Sequence, residues 1–290
     1  MRRIRPLLSA ELVLLLGLLA LIGVGYLAER WLLVGQSAPV APTTAIILAS
    51  APAIVWFLGL RAHEGELSVS PGSIVVLMFV GALLAGPAAE FVASGAVAPQ
   101  PLVPPSTSPL DLASLVALGA IALCYEGAKF LSVRFLYLGS SRPWGDPLAL
   151  LLAATAIALG VATFSLAREL IDLGAVPLGV GAVRAAALVL IHTACAAIGA
   201  CALITTRGVD TGAGRRAAVM LAGVLLAATL HVLFLSGFSL LEADGLTARP
   251  GRAAAVIALV AAVVLVGATL LAARLSRRAF TPPRDPEDSP

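Results

Sequence analysis

The chain of 290 residues is 60% apolar and only 12% charged, with mean hydropathy +1.01 and a net charge of +3. A soluble domain carries about 25% charged residues, so this composition excludes a soluble fold and indicates helices embedded in a lipid bilayer. The small positive charge comes from arginines flanking apolar runs, so it bears on topology and gives no reason to expect a nucleic-acid partner.

Taken in order, the apolar runs predict an all-α, polytopic membrane bundle of about eight transmembrane helices of bilayer-spanning length. They lie near 7–28, 43–60, 72–93, 110–134, 147–167, 183–205, 217–240 and 253–273, the sixth starting as early as Val176. Residues 1–280 thus read as a single transmembrane domain, and 281–290 as a disordered cytoplasmic tail. Arg2, Arg3 and Arg5 precede the first run as they would in a signal sequence. That run is too long for such a segment and no small-residue cleavage site follows, so it is kept as a span. Glu11 lies near its cytoplasmic end and is expected to reach the interface.

The second span contains Pro52, and Ser50 is placed to satisfy a carbonyl that the proline frees. Ser70-Pro71, Ser108-Pro109 and Asp146-Pro147 each read as a cap followed by proline at the first helical position. Gly86-Pro87 disrupts the third span before Glu90, which points to a structural role for that carboxylate. Residues 94–109 form a proline-rich external loop. Cys124, Cys195 and Cys201 fall within spans and read as small buried hydrophobes, not as disulfides.

Arginine placement orients the bundle. With the N-terminus inside, thirteen arginines lie on the cytoplasmic side and five, at positions 30, 168, 184, 249 and 252, on the other. This obeys the positive-inside rule. It places both termini in the cytoplasm and the chain in a bacterial inner membrane.

The polar residues inside spans are few. The only lysine, Lys129, sits one helical turn after Glu126 on the same face. A charge at the centre of a membrane helix costs about 2.5–3.5 kcal/mol, so the pair either neutralises itself for insertion or belongs to a site. His192 and His231 are isolated in two later spans. From the external helix ends they lie about 12 and 15 Å deep, and Glu126 about 24 Å. A carboxylate and two imidazoles on three helices read as one buried polar site. Such a group can activate water, with Glu126 as general base and a histidine holding an oxyanion. It can hold a divalent metal such as zinc with a coordination position left open, or relay protons through a transporter.

The order of motifs adds a family resemblance. Glu126-Gly127-Ala128-Lys129-Phe130 resembles the second half of the Glu-Glu-x-x-Lys motif of the PrsW family of intramembrane proteases. Asp146-Pro147-Leu148 followed by Ala158-Leu159-Gly160-Val161-Ala162-Thr163-Phe164-Ser165 looks like the family's Asp…Gly-Leu-Gly-Phe-Ala-x-x-Glu segment. Arg184 eight residues before His192 is similar to the Arg-x7-His helix, and His231 matches the last family histidine. The resemblance covers about residues 110–240, and the ordered set carries it. It implies a PrsW-like fold, related to the CAAX-processing endopeptidases, that hydrolyses peptide bonds of membrane-protein substrates. Glu126, Lys129, His192 and His231 would form the site, with Glu126, His192 and His231 as ligands of any metal.

Three positions depart from the pattern. The first glutamate of the paired motif is Tyr125, the glutamate of the second aligns with Ser165, and the asparagine after the last histidine aligns with Leu235. Ser165 could only hydrogen-bond. Loss of the second carboxylate removes the like-charge neighbour that would raise one pKa and supply acid and base together. The chain therefore reads as a PrsW-type protease of reduced or lost activity, as a non-catalytic scaffold of the same fold, or as a proton-coupled transporter.

Overall fold

A computed structural model of the chain describes residues 5–32, 42–62, 69–96, 112–137, 147–174, 178–207 and 212–243, together with isolated helical positions between 252 and 267. The elements are α1 (Arg5–Leu32), α2 (Pro42–Arg61), α3 (Pro71–Val80), α4 (Gly86–Ala96), α5 (Leu112–Ser132), α6 (Pro147–Leu173), α7 (Leu178–Arg207) and α8 (Ala213–Ala243). A π-helical turn, Gly81–Ala85, joins α3 to α4, and a second, Val133–Tyr137, extends α5. Among the described residues seven stretches are long and apolar enough to cross a membrane, α3 and α4 together making one of them. The eighth expected span, 253–273, lies outside the described residues apart from the isolated positions.

The helix starts follow local chemistry. Ser70 caps α3 by accepting from the Ser73 N–H at 3.2 Å, with Pro71 at the first helical position as expected. Pro147 likewise stands at the first helical position of α6, while Asp146, Ser108 and Pro109 lie outside the described residues. Glu29 of α1 accepts from the Gly179 N–H at 3.1 Å, satisfying one of the free donors at the start of α7. α6 ends at Gly174, whose φ of 66° is a left-handed conformation that costs glycine little.

At Pro52 the expectation needs correction. Ser50 Oγ donates to Ile46 O at 2.7 Å, the ordinary back-bond to the preceding turn. A proline at 52 removes the donor to residue 48 instead. Help for this stretch comes from outside the helix: Thr163 Oγ1 of α6 donates to Ala49 O at 3.3 Å as well as to its own Leu159 O at 2.9 Å.

The bundle is built around α6 and α7. Their most apolar stretches are 83% and 89% buried, against 22–44% for the other spans. α6 packs on α7, α2 and α3, α7 on α1 and α8, and α5 on α4 and α8. The peripheral helices turn large apolar side chains outward, among them Trp31, Ile47, Leu83, Phe91, Phe135 and Leu233. An apolar exterior on this scale suits lipid and not water. Gly81 and Gly160 bring the backbones of two helices close together. A Cβ on either would collide with backbone of the facing helix, Ile157 O or Met78 O. This is the small-residue contact typical of helices packed in lipid. The π-helical turn lies at that contact and lets the chain continue through Pro87, with the Gly86 N–H reaching back to Gly81 O.

Candidate functional site

Glu126 and Lys129 on α5, His192 on α7 and His231 on α8 are all buried and meet between these three helices. The spacing of three residues on α5 brings carboxylate and ammonium together, with Lys129 Nζ 2.7 Å from Glu126 Oε1. The same oxygen lies 2.8 Å from His231 Nδ1. Lys129 Nζ also reaches His192 Nδ1 at 3.3 Å and donates to His192 O at 3.2 Å. The two imidazoles stand edge to face, 5.0 Å between ring centres.

This arrangement sets the protons. An ammonium has three N–H donors and no acceptor, and Lys129 meets three acceptors: Glu126 Oε1, His192 Nδ1 and His192 O. With Lys129 as an ammonium, His192 Nδ1 presents its lone pair to the lysine and carries its proton on Nε2. His231 is the reverse, since Nδ1 faces a carboxylate and must donate to it. Glu126 Oε1 accepts from both Lys129 and His231, which leaves Oε2 for another donor. Beside the carboxylate is a cavity of about 10 Å³, lined by Glu126, Lys129, Phe130, Cys195, Gly199 and Ala227. That is room for about one water molecule. Cys195 donates its thiol to Ala227 O at 3.2 Å and, like Cys201, is buried and unpaired; Cys124 is half-buried and also free.

The second part of the site was not expected from sequence. Tyr125, adjacent to Glu126 but turned to another face of α5, donates its hydroxyl to Glu90 Oε2 at 2.6 Å. Glu90 lies on α4 and also pairs with Arg168 of α6. Arg168 Nε in turn lies 3.4 Å from Asp172 Oδ2. The Tyr125 ring is 5.7 Å from that of His192, so it separates the Glu90 pair from the inner four residues. Where the family motif has a second carboxylate in sequence, this chain has a phenol bonded to a carboxylate from another helix.

The remaining expectations sort as follows. Ser165 is buried beside Tyr125 but its hydroxyl makes no hydrogen bond of normal geometry. Glu169, one turn after Ser165, is buried and pairs with Arg184 of α7. Leu235 is buried, an apolar side chain at the position of the family's asparagine. Arg184 thus ties α7 to α6 near the start of the helix that carries His192.

No protein-family model, curated protein or solved structure matches the chain. The PrsW resemblance accordingly rests on the residues and their order.

Glu126, His192 and His231 lie close together and could bind a metal, one ligand atom from each falling within 4.8 Å of the others. Two imidazoles and a carboxylate suit zinc and several other divalent ions, so the set does not specify zinc. Metal–nitrogen bonds near 2.0–2.1 Å place tetrahedral ligands about 3.4 Å apart. The three residues are thus within a small adjustment of such a site.

Proposed function

We propose that the chain is an intramembrane peptidase of the PrsW type, lying in a bacterial inner membrane with both termini cytoplasmic, that hydrolyses peptide bonds of membrane-protein substrates. One observation carries this reading: the four polar residues that the motif order singles out meet at a single buried point, and two of them, Glu126 and Lys129, line a water-sized cavity.

In this reading Glu126, through Oε2, takes a proton from a water molecule in the cavity. The resulting hydroxide attacks the scissile carbonyl. His192 presents Nε2–H to the developing oxyanion, which strengthens as charge accumulates there. The proton held by Glu126 then passes to the leaving amine, as microscopic reversibility requires of a single acid–base group. Lys129, 2.7 Å from Oε1, orients the Glu126 carboxylate. A divalent metal, if bound by Glu126, His192 and His231, would supply Lewis-acid activation of water at this point.

The test is a comparison of membrane-protein N-termini in cells making the wild-type chain, Glu126→Gln or His192→Ala at equal levels. New N-termini should appear with the wild type alone, and identical sets in all three would refute hydrolysis. A second reading, a non-catalytic PrsW-like protein that holds membrane partners, is favoured by the internal satisfaction of Lys129 and Tyr125. It expects the cellular phenotype of the chain to survive Glu126→Gln.

A further inference from the structure

The three acceptors of Lys129 overlap with the ligand set of the metal site. A metal held by Glu126, His192 and His231 needs lone pairs from the carboxylate and from both rings. On His192 the lone pair is on Nδ1, because that nitrogen faces the ammonium at 3.3 Å. On Glu126 the oxygen next to His231 is Oε1, which lies 2.7 Å from Nζ. Two of the three ligands therefore already direct lone pairs at a cation. That cation is tethered to the site one turn along the same helix as the glutamate.

We infer that Lys129 is the resident cation of this centre, its ammonium filling the place a divalent metal would take, and that the native chain holds no metal there. Removing the ammonium would uncover a metal site made of Glu126, His192 and His231. Three observations support this. The ammonium has all three of its N–H donors matched by acceptors in the site, so it is not a side chain passing through. It is buried, so displacing it would leave an unpaired charge in an apolar surrounding, at a cost a metal would have to exceed. The cavity beside it admits about one water, too little to take the displaced ammonium while a metal enters.

The inference concerns what occupies the centre, and it stands apart from whether the chain cleaves peptides. Its mechanistic consequence rests on the peptidase reading: water activation would fall to Glu126 alone, with Lys129 as its positioning residue.

Because Lys129 is the only lysine in 290 residues, lysine-selective ¹⁵N labelling of the full chain in detergent gives a single side-chain ammonium signal. Co(II) serves as the probe, since its visible spectrum reports coordination and its paramagnetism broadens nearby nuclei. In the wild type, one equivalent of Co(II) should leave the signal unchanged and yield no tetrahedral absorption band. Lys129→Ala should bind about one Co(II) per chain, with a melting temperature that rises as Co(II) is added. Both effects should vanish in Lys129→Ala/His192→Ala. Stoichiometric Co(II) binding by the wild type, with loss of the lysine signal and dependence on His192, would overturn the inference. So would a folded Lys129→Ala that binds no Co(II). If that variant does not fold, the wild-type lysine signal decides alone. None of these readouts involves peptide cleavage, so their failure is distinguishable from failure of the peptidase reading.

Discussion

Two carboxylate–cation pairs on neighbouring helices have nearly the same sequence spacing and opposite surroundings. Glu126 and Lys129, three apart on α5, have side chains about 2% exposed. Arg168 and Asp172, four apart on α6, are 43% and 66% exposed. Spacing alone makes both pairs possible. Burial decides what each does. The inner pair has given up its water and depends on its own contact and on His192 and His231 to replace it. The outer pair is exposed and, among the described residues, connects inward through Glu90 and Tyr125. Neutralising a charge should therefore be severe at one site and slight at the other.

The largest effect is expected at Lys129. Lys129→Met removes one member of a buried pair and leaves Glu126 charged, which for buried pairs costs about 3–5 kcal/mol. Denaturant or thermal unfolding in detergent should show it, and Glu126→Gln/Lys129→Met should recover most of the loss. A single-variant loss below about 1 kcal/mol would mean the inner pair is solvated like the outer one, and the contrast would collapse.

The next effect concerns what places the outer group. Glu90 follows the π-helical turn, and that turn is held against α6 where Gly81 meets Gly160. Gly160→Ala puts a methyl group into Met78 O, so α3 must move away from α6. Overpacking of this kind costs about 1–3 kcal/mol. It should also loosen Glu90 from Tyr125 while leaving the inner four residues, on α5, α7 and α8, in contact. Crosslinking between cysteines placed on α4 and α5, compared with pairs on α5 and α8, would read that asymmetry. Equal loss in both pairs would show that the two regions do not move independently.

The same contrast explains how much was legible in the sequence. Glu126, Lys129, His192 and His231 stand out because an ionisable group in an apolar run is conspicuous, and motif order linked them across about a hundred residues. Seven of the expected spans were legible for the same reason, hydropathy being a property of each run by itself. The link from Tyr125 to Glu90 was not. Tyr125 reads as a lost carboxylate, and Glu90 as a residue after a disruptive proline, until α4 is packed on α5. The pairing of Glu169 with Arg184 was not legible either, because it depends on how α6 and α7 lie together. The π-helical turn leaves no trace in hydropathy. Ser50 reads as a partner for a carbonyl freed by Pro52, but its bond to Ile46 O is set by ordinary helix geometry and not by the proline. What sequence conveyed was the chemistry within each helix; what it lacked was the neighbour each helix would meet.

Tyr125 lies on the boundary between the two regions and should show an intermediate effect. Tyr125→Phe keeps the ring against His192 and removes only the hydroxyl that Glu90 accepts. Hydrogen bonds to charged groups contribute about 1.5–3 kcal/mol. The lower end applies here, because Glu90 is 21% exposed and retains Arg168 as a partner. If the ring alone separates the regions, lysine-ammonium signals of this variant and the wild type should coincide. A displaced signal would show that the Glu90 bond helps set the geometry around Lys129.

The smallest effect is expected at Asp172. Its contact with Arg168 is 3.4 Å long, both side chains are well exposed, and Arg168 keeps Glu90 after the change. Exposed pairs of this spacing contribute about 0.3–0.5 kcal/mol, and salt screens them. Asp172→Asn should therefore shift the unfolding midpoint barely at low salt and not at all at high salt. A larger, salt-independent loss would mean that Asp172 holds Arg168 in position for Glu90, and that the chain of contacts from Asp172 through Arg168 and Glu90 to Tyr125 acts as one unit. In that case the boundary between the two regions would lie inside Tyr125, at its ring against His192, and not at the point where the side chains begin to be exposed.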